Sequence, residues 1–237
     1  MTAENVLFLV ILTAAAGFFA LNAQRLVGYL RLGLREPRTD RAAFRLWNVL
    51  RIGVGQSKIL RDPIAGLSHA FVFWGFVVLT AGTVEVLIQG VLPSFSYERF
   101  LPAPLWGAFS LSQDAFGVFV LGAVGYLFYR RLVIKPRRLE GDDIEHFDAL
   151  FILSMIAALM ITMFVANGAL LVTEPGAFPQ VKVVSQGVSK GLAWLGPDGA
   201  HATHRVFWWS HALLVLLFLN YLPYSKHLHV ITSLPNT

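Results

Sequence analysis

The sequence contains no cysteine among its 237 residues. That absence excludes a disulfide, a zinc ribbon and an iron-sulfur cluster held on thiolates of this chain. Charge is scarce as well: 14% of the residues are charged, where an average soluble domain has about 25%. What is there instead is apolar, 56% of the chain, so a membrane protein is the starting expectation. There is no internal repeat and no low-complexity tract, which leaves one bundle in one domain, 1–237.

Apolar runs of about 20 residues, enough to cross a hydrocarbon core of about 30 Å, occur at 6–28, 66–90, 112–133, 148–172 and 206–223. Lipid offers no partner to a loose amide, so each run is expected to be an α-helix. The fold class is therefore an all-α integral membrane protein with five transmembrane helices. The first run lacks a basic n-region and is too long for a secretion signal, and it is expected to be retained.

The positive charge is one-sided. Arg25, Arg31, Arg35, Arg38, Arg41, Arg45, Arg51, Lys58 and Arg61 lie from the end of the first span to the start of the second, with Arg130, Arg131, Lys135, Arg137 and Arg138 from the end of the third to the start of the fourth, and Lys226 after the fifth. The other side keeps only Arg99, Lys182, Lys190 and Arg205. Short cytoplasmic loops hold the excess of Lys and Arg, which predicts an outside N-terminus, a cytoplasmic C-terminus and residence in the cell inner membrane. The net charge of +5 then reflects topology and contact with inner-leaflet lipid, and gives no reason to invoke nucleic acid.

Between the spans, residues 40–61 place Phe44, Trp47, Leu50 and Val54 at helical spacing among arginines, as in a helix lying in the inner interface. Residues 181–195 put Val181, Val184, Val188 and Leu192 on one stripe and predict a second interfacial helix. The proline- and aromatic-rich stretch 92–109 predicts an irregular cap at the outer membrane level.

An ionisable group inside a span is costly to insert and is a functional candidate by default. His69 lies about one turn inside the second span, and His211 and His229 lie near the two ends of the fifth. An uninterrupted helix would hold His211 and His229 on one face about 27 Å apart, with His227 pointing the other way; Pro223 threatens that continuity. Two histidines at one depth on different helices are what a six-coordinate haem iron requires, and His69 and His229 fit. Phe71, Phe73, Trp74, Phe218 and Leu222 would wall the porphyrin, and Arg51, Lys58, Arg61 or Lys226 would meet its propionates. Ser68 and Ser225 are candidates to fix the imidazole tautomers. His211 reads as a ligand of a second haem, a quinone contact or a packing residue, because Leu79 and Thr80 face it on the second span. His227 reads as an interfacial anchor, His146, His201 and His204 as solvated or capping groups, and Met155, Met160 and Met163 as packing residues. Toward the outside lie Glu85, Gln89, Gln113, Asp114 and Asn167; Glu85 and Asp114 are candidates to handle protons for a quinone head, or else are helix-end groups wetted by the outer phase.

The segment LPYSKHLH, with a histidine eighteen positions before its last one, resembles the final helix of the cytochrome b subunit of respiratory nitrate reductase. That resemblance implies a b haem at each of His211 and His229, with His69 the inner partner, while Leu79 stands where that family has its other histidine. GQSKILRDPIAGLSHAFVFWGFVVLTAGTVE, the YRRLVIKPRRLEG loop and WWSHALLVLLFLNYLPYSKHLHVITSLPN together resemble the N-terminal membrane domain of the heterodisulfide-reductase-related iron-sulfur oxidoreductases. Within that family the three segments look like those of the membrane-bound electron transfer flavoprotein:menaquinone oxidoreductases. The resemblance implies haem b, a quinone such as menaquinone, and a cytoplasmic domain with 4Fe–4S clusters that follows residue 237 or is a separate partner. By the same resemblance, electrons from electron transfer flavoprotein enter through that domain, so the chain is expected to be the quinone oxidoreductase's membrane component. Two rival classes are a proton or small-solute transporter, which would use Glu85, Asp114 and the histidines differently, and a haem-free membrane anchor for a soluble redox partner.

Overall fold

A computed structural model describes residues 2–33, 40–136, 143–179 and 181–233. Arg35, Arg38, Arg137, Arg138 and the LPN segment at 234–236 lie outside the described residues. The architecture is all-α, and among the described residues there is no strand. In chain order the helices are α1 (Ala3–Leu30), α2 (Ala42–Asn48), α3 (Pro63–Val91), α4 (Ala103–Tyr129), α5 (Asp143–Thr173), α6 (Val183–Leu192), α7 (Gly196–Tyr221) and α8 (His229–Thr232). Five stretches are long and apolar enough to cross a membrane: Ala3–Tyr29, Pro63–Val91, Ala103–Ile134, His146–Thr173 and Val183–Tyr224. Their outer faces carry exposed Val6, Val10, Phe76, Phe119, Ile161 and Leu217, the surface a hydrocarbon solvent requires.

Inside such helices a hydroxyl or amide has no water to turn to, and several bond back to their own helix backbone. Thr80 Oγ1 donates to the Phe76 carbonyl at 2.6 Å, Ser154 Oγ to that of Leu150 at 2.9 Å and Asn220 Nδ2 to that of Leu216 at 2.9 Å. Packing is closest where small residues let helices approach. A Cβ at Gly90 of α3 would sit 2.3 Å from the ring of Phe8 on α1, and one at Gly75 would sit 2.1 Å from Val120 on α4. Leu79, Val120, Val124, Ile152, Ile156 and Met160, from α3, α4 and α5, form the central core. Met155 is buried too, in the packing role expected of it.

Several boundaries differ from the sequence expectations. The interfacial segment 40–61 is not one helix: after α2 the turn widens at Val49–Val54, and a short tight turn at Ile59–Arg61 precedes α3. Gln56, at φ 52°, lies between these turns, in a region where a non-glycine residue cannot continue a helix. α4 begins at Ala103, so the irregular cap is shorter than 92–109; Pro104 sits in its first turn, where a missing N–H costs nothing. α7 begins at Gly196, ten residues before the apolar run, and it does not reach His229. Pro223 cannot donate, and the chain passes through two tight turns, Leu222–Tyr224 and Lys226–Leu228, separated by an extended Ser225.

Candidate functional site

The many basic residues gather at one end of the bundle, and there α3 starts and α7 breaks. Asp62 caps α3, accepting from Ala65 N at 3.4 Å, and its other oxygen takes Arg130 Nη2 from the end of α4 at 3.4 Å. Gly66 lies so close to the preceding turn that a Cβ would meet the Ile59 carbonyl at 2.1 Å. The next turn of α3 presents His69. The hook after α7 carries His229 back to it, and the two imidazole centres are 6.1 Å apart with their planes at 37°. His227 packs beside them, 5.5 Å from His229 and 5.3 Å from Phe218. It is therefore part of the same cluster and does not point away, because the break at Pro223 removes the helical register that separated them.

The two rings are held differently. His229 Nδ1 is 2.7 Å from the Lys226 carbonyl; a carbonyl only accepts, so Nδ1 carries the proton and Nε2 keeps its lone pair. His69 Nδ1 is buried with no hydrogen-bond partner. The two serines expected to fix the tautomers do not: Ser68 Oγ donates to the Ile64 carbonyl, and Ser225 Oγ donates to that of Leu222 and accepts from His227 N. Of the apolar walls, Phe71 stacks on Phe119 at 5.1 Å and Phe73 lies edge-on to Trp74 at 5.7 Å; Leu222 is buried. Arg51, Lys58, Arg61 and Lys226 are all exposed at this end.

The opposite half of the bundle contains a cavity of about 800 Å³, lined among others by Glu85, Ser110, Gln113, Lys182, His204 and His211. His211 Nδ1 lies 3.1 Å from both the Leu159 carbonyl and Thr162 Oγ1, and His204 Nδ1 lies 2.9 Å from the Ala166 carbonyl. The carbonyls set both tautomers and leave each Nε2 as the lone-pair nitrogen. Leu79 is buried in the core and also lines this cavity. Glu85 Oε1 accepts from Tyr97 N at 2.8 Å, and Gln113 Nε2 donates to the Val78 carbonyl at 2.9 Å. Gln89 ties the end of α3 to the cap by donating to the Phe95 carbonyl at 3.0 Å. Asn167 lines the cavity, and Asp114 does not. Its carboxylate accepts from Val184 N at 2.6 Å, Ser185 N at 3.2 Å and Ser185 Oγ at 2.6 Å, so it caps the start of α6 from a neighbouring helix.

Two cavity residues carried no signal in the sequence. Lys182 counts there only toward topology, yet its side chain is buried and its Nζ sits 3.8 Å above the Phe178 ring. Burial holds its pKa down to about 8, opposed by the nearby charges of Asp114 and Glu85. Ser110 is wholly buried and its Oγ has no partner. Among the described residues no cluster of three or more His, Asp or Glu side chains could hold a metal ion by itself.

The chain is 30% identical over 236 residues to the "Probable iron-sulfur-binding oxidoreductase FadF" of Bacillus subtilis, an alignment covering 100% of this chain and 32% of that protein. It is 27% identical over 209 residues to the EtfAB:quinone oxidoreductase of Syntrophomonas wolfei, 84% of this chain and 28% of that protein. Over 182 residues it is 27% identical to one subunit of the dihydromethanophenazine:CoB--CoM heterodisulfide reductase of Methanosarcina acetivorans, 75% of this chain and 60% of that polypeptide. The chain is a homologue of these oxidoreductases. Its five apolar helices are consistent with a membrane domain of the heterodisulfide-reductase-related iron-sulfur family, and it spans about a third of the length of the first two relatives. No family model and no solved structure matches it.

Proposed function

We propose that the chain is a cytochrome b-type membrane domain that passes electrons between an iron-sulfur and flavoprotein module and a membrane quinone. The observation that carries this reading is the pairing of His69 with His229. An imidazole nitrogen bonds a first-row metal at about 2 Å, and its ring centre lies about 1.2 Å further back, so two imidazoles on opposite sides of one iron have centres about 6.4 Å apart. The 6.1 Å found here fits that donor set, as does the partnerless buried nitrogen of His69. Haem b, when bound, supplies the one-electron chemistry.

The chain's own residues do the rest. Lys226 holds His229 with Nε2 as its lone-pair nitrogen, and the exposed Arg51, Lys58, Arg61 and Lys226 offer cations for propionates at the same end. A partner module brings the electrons; the names of the relatives motivate the choice of an iron-sulfur domain and electron transfer flavoprotein. At the other half of the bundle the cavity takes the quinone head, menaquinone in this reading. Ser110 Oγ and Lys182 Nζ donate to its oxygens, and Glu85 handles a proton. His211, with Leu79 in place of a second imidazole, contacts the quinone head; a second haem there is the alternative. Asp114 acts at one remove, by holding α6 and with it the neighbouring Lys182.

A pyridine haemochrome assay on the purified chain tests the reading, with one haem b per polypeptide expected. Two haems would move His211 to the ligands. A chain with no Soret band that takes up no haemin would end the cytochrome proposal.

A further inference from the structure

His229 stands in an unusual mechanical position. It is on the exposed side of a short turn, its ring is in contact with the imidazoles of His227 and His69, and among the described residues the ring makes one hydrogen bond, to the Lys226 carbonyl. Whatever fixes residue 226 therefore fixes the one hydrogen bond that directs the His229 ring. The chain on either side of the break converges on Asp148, in the first turns of α5. Tyr221, the last residue of α7, donates its hydroxyl to Asp148 Oδ1, and Lys226 N donates to Oδ2 at 3.1 Å. The stretch between is pinned once more where Tyr224 Oη donates to Asn22 Oδ1 of α1 at 2.6 Å.

We infer that Asp148 is the positioning residue of His229: by clamping the two sides of the α7 break it aims the Lys226 carbonyl, which aims the imidazole at His69. The inference rests on the haem reading for its consequence, though not for its geometry. Outer-shell partners of metal-binding histidines set ligand orientation, and their loss costs about 10–100-fold in metal affinity. Asp148 would act one bond further out, through the main chain. Its two oxygens are used separately, one on each side of the break, so the requirement is for a bridge of fixed reach. Asparagine meets it, since its amide oxygen can accept from Lys226 N and its amide nitrogen can donate to Tyr221 Oη. Alanine does not.

The test uses the full chain in detergent, titrated with haemin and followed by the Soret band and by low-spin electron paramagnetic resonance. Asp148→Ala is expected to bind haemin about 10–100-fold more weakly with shifted low-spin g-values, and Asp148→Asn to stay close to the wild type. Wild-type affinity and g-values in folded Asp148→Ala, or an equal loss in Asp148→Asn, would overturn the assignment. Asp148→Ser, which stays polar but cannot bridge, replaces the alanine variant if that does not fold. Nitrogen-15 spectra of histidine in the haem-free chain separate this inference from the cytochrome reading. The Nδ1–H form of His229 should dominate in the wild type and give way to a mixture in Asp148→Ala, whether or not haemin binds; an unchanged Nδ1–H form in that variant would overturn the role of Asp148 by itself.

Discussion

The imidazoles of His69 and His229 meet at a centre-to-centre distance of 6.1 Å although three membrane-spanning helices separate them in the sequence. His227 is nearer still to His229, 5.5 Å in an edge-on contact, so the proposal must discriminate between neighbours. His69→Ala and His229→Ala are each expected to abolish the low-spin haem signal, and His227→Ala to retain it. Loss with His227→Ala and retention with His229→Ala would reassign the ligand.

Glu85 already spends one oxygen on the Tyr97 amide, a bond that a glutamine oxygen can also accept. Glu85→Gln should therefore leave the fold and the visible spectrum unchanged while slowing menaquinone reduction by about 100-fold or more, the scale of a lost proton-transfer group. Turnover at the wild-type rate would remove Glu85 from the proton path.

Asp114 makes three contacts to the start of α6. Removing such a cap typically costs about 1–2 kcal/mol, with a further penalty for the buried donors it strands. In Asp114→Ala the Val184 and Ser185 amides should exchange with deuterium faster, while amides of α3 stay protected. Equal protection in both proteins would show that the cap is dispensable.

Lys182 gives the protein a pH signature. Its folded pKa is about 8 against an ordinary 10.5, so below pH 8 the lysine is charged in both the folded and unfolded states and the burial penalty is complete. Between pH 8 and 10.5 only the unfolded state keeps the proton, and folding gains as pH rises. Equilibrium unfolding of the wild type and Lys182→Met should show the variant's advantage at pH 7 shrinking toward pH 10. Parallel pH curves would mean that the ammonium is not buried in the folded protein.

The helix count is legible in the sequence because an apolar run of that length has one solution in lipid. The approach of residues 69 and 229 is legible because both lie at the same depth from the basic end. The role of Asp114 is not, since its partners are 70 or more residues away and nothing local marks it as anything but a polar group near a helix end. Lys182 is hidden for a related reason: a lysine beside an amphipathic stripe reads as wetted, and only the Phe178 ring and the neighbouring helices remove it from water. The breaks at 49–61 and 222–228 come from competition between backbone bonds, which periodicity does not report; Pro223 was the single visible warning.

Helix α5 touches three imidazole stations along its partner: Ala166 holds His204, Leu159 holds His211, and Asp148 holds the chain that carries His229. At a rise of about 1.5 Å per residue, those three anchors divide its length like marks on a ruler. Because α7 is severed before His229, a disturbance at one mark reaches the next through the ruler and not through the helix that bears the rings. Inserting or deleting a single residue in α5 would then misalign the stations relative to one another while leaving each imidazole's own helix intact.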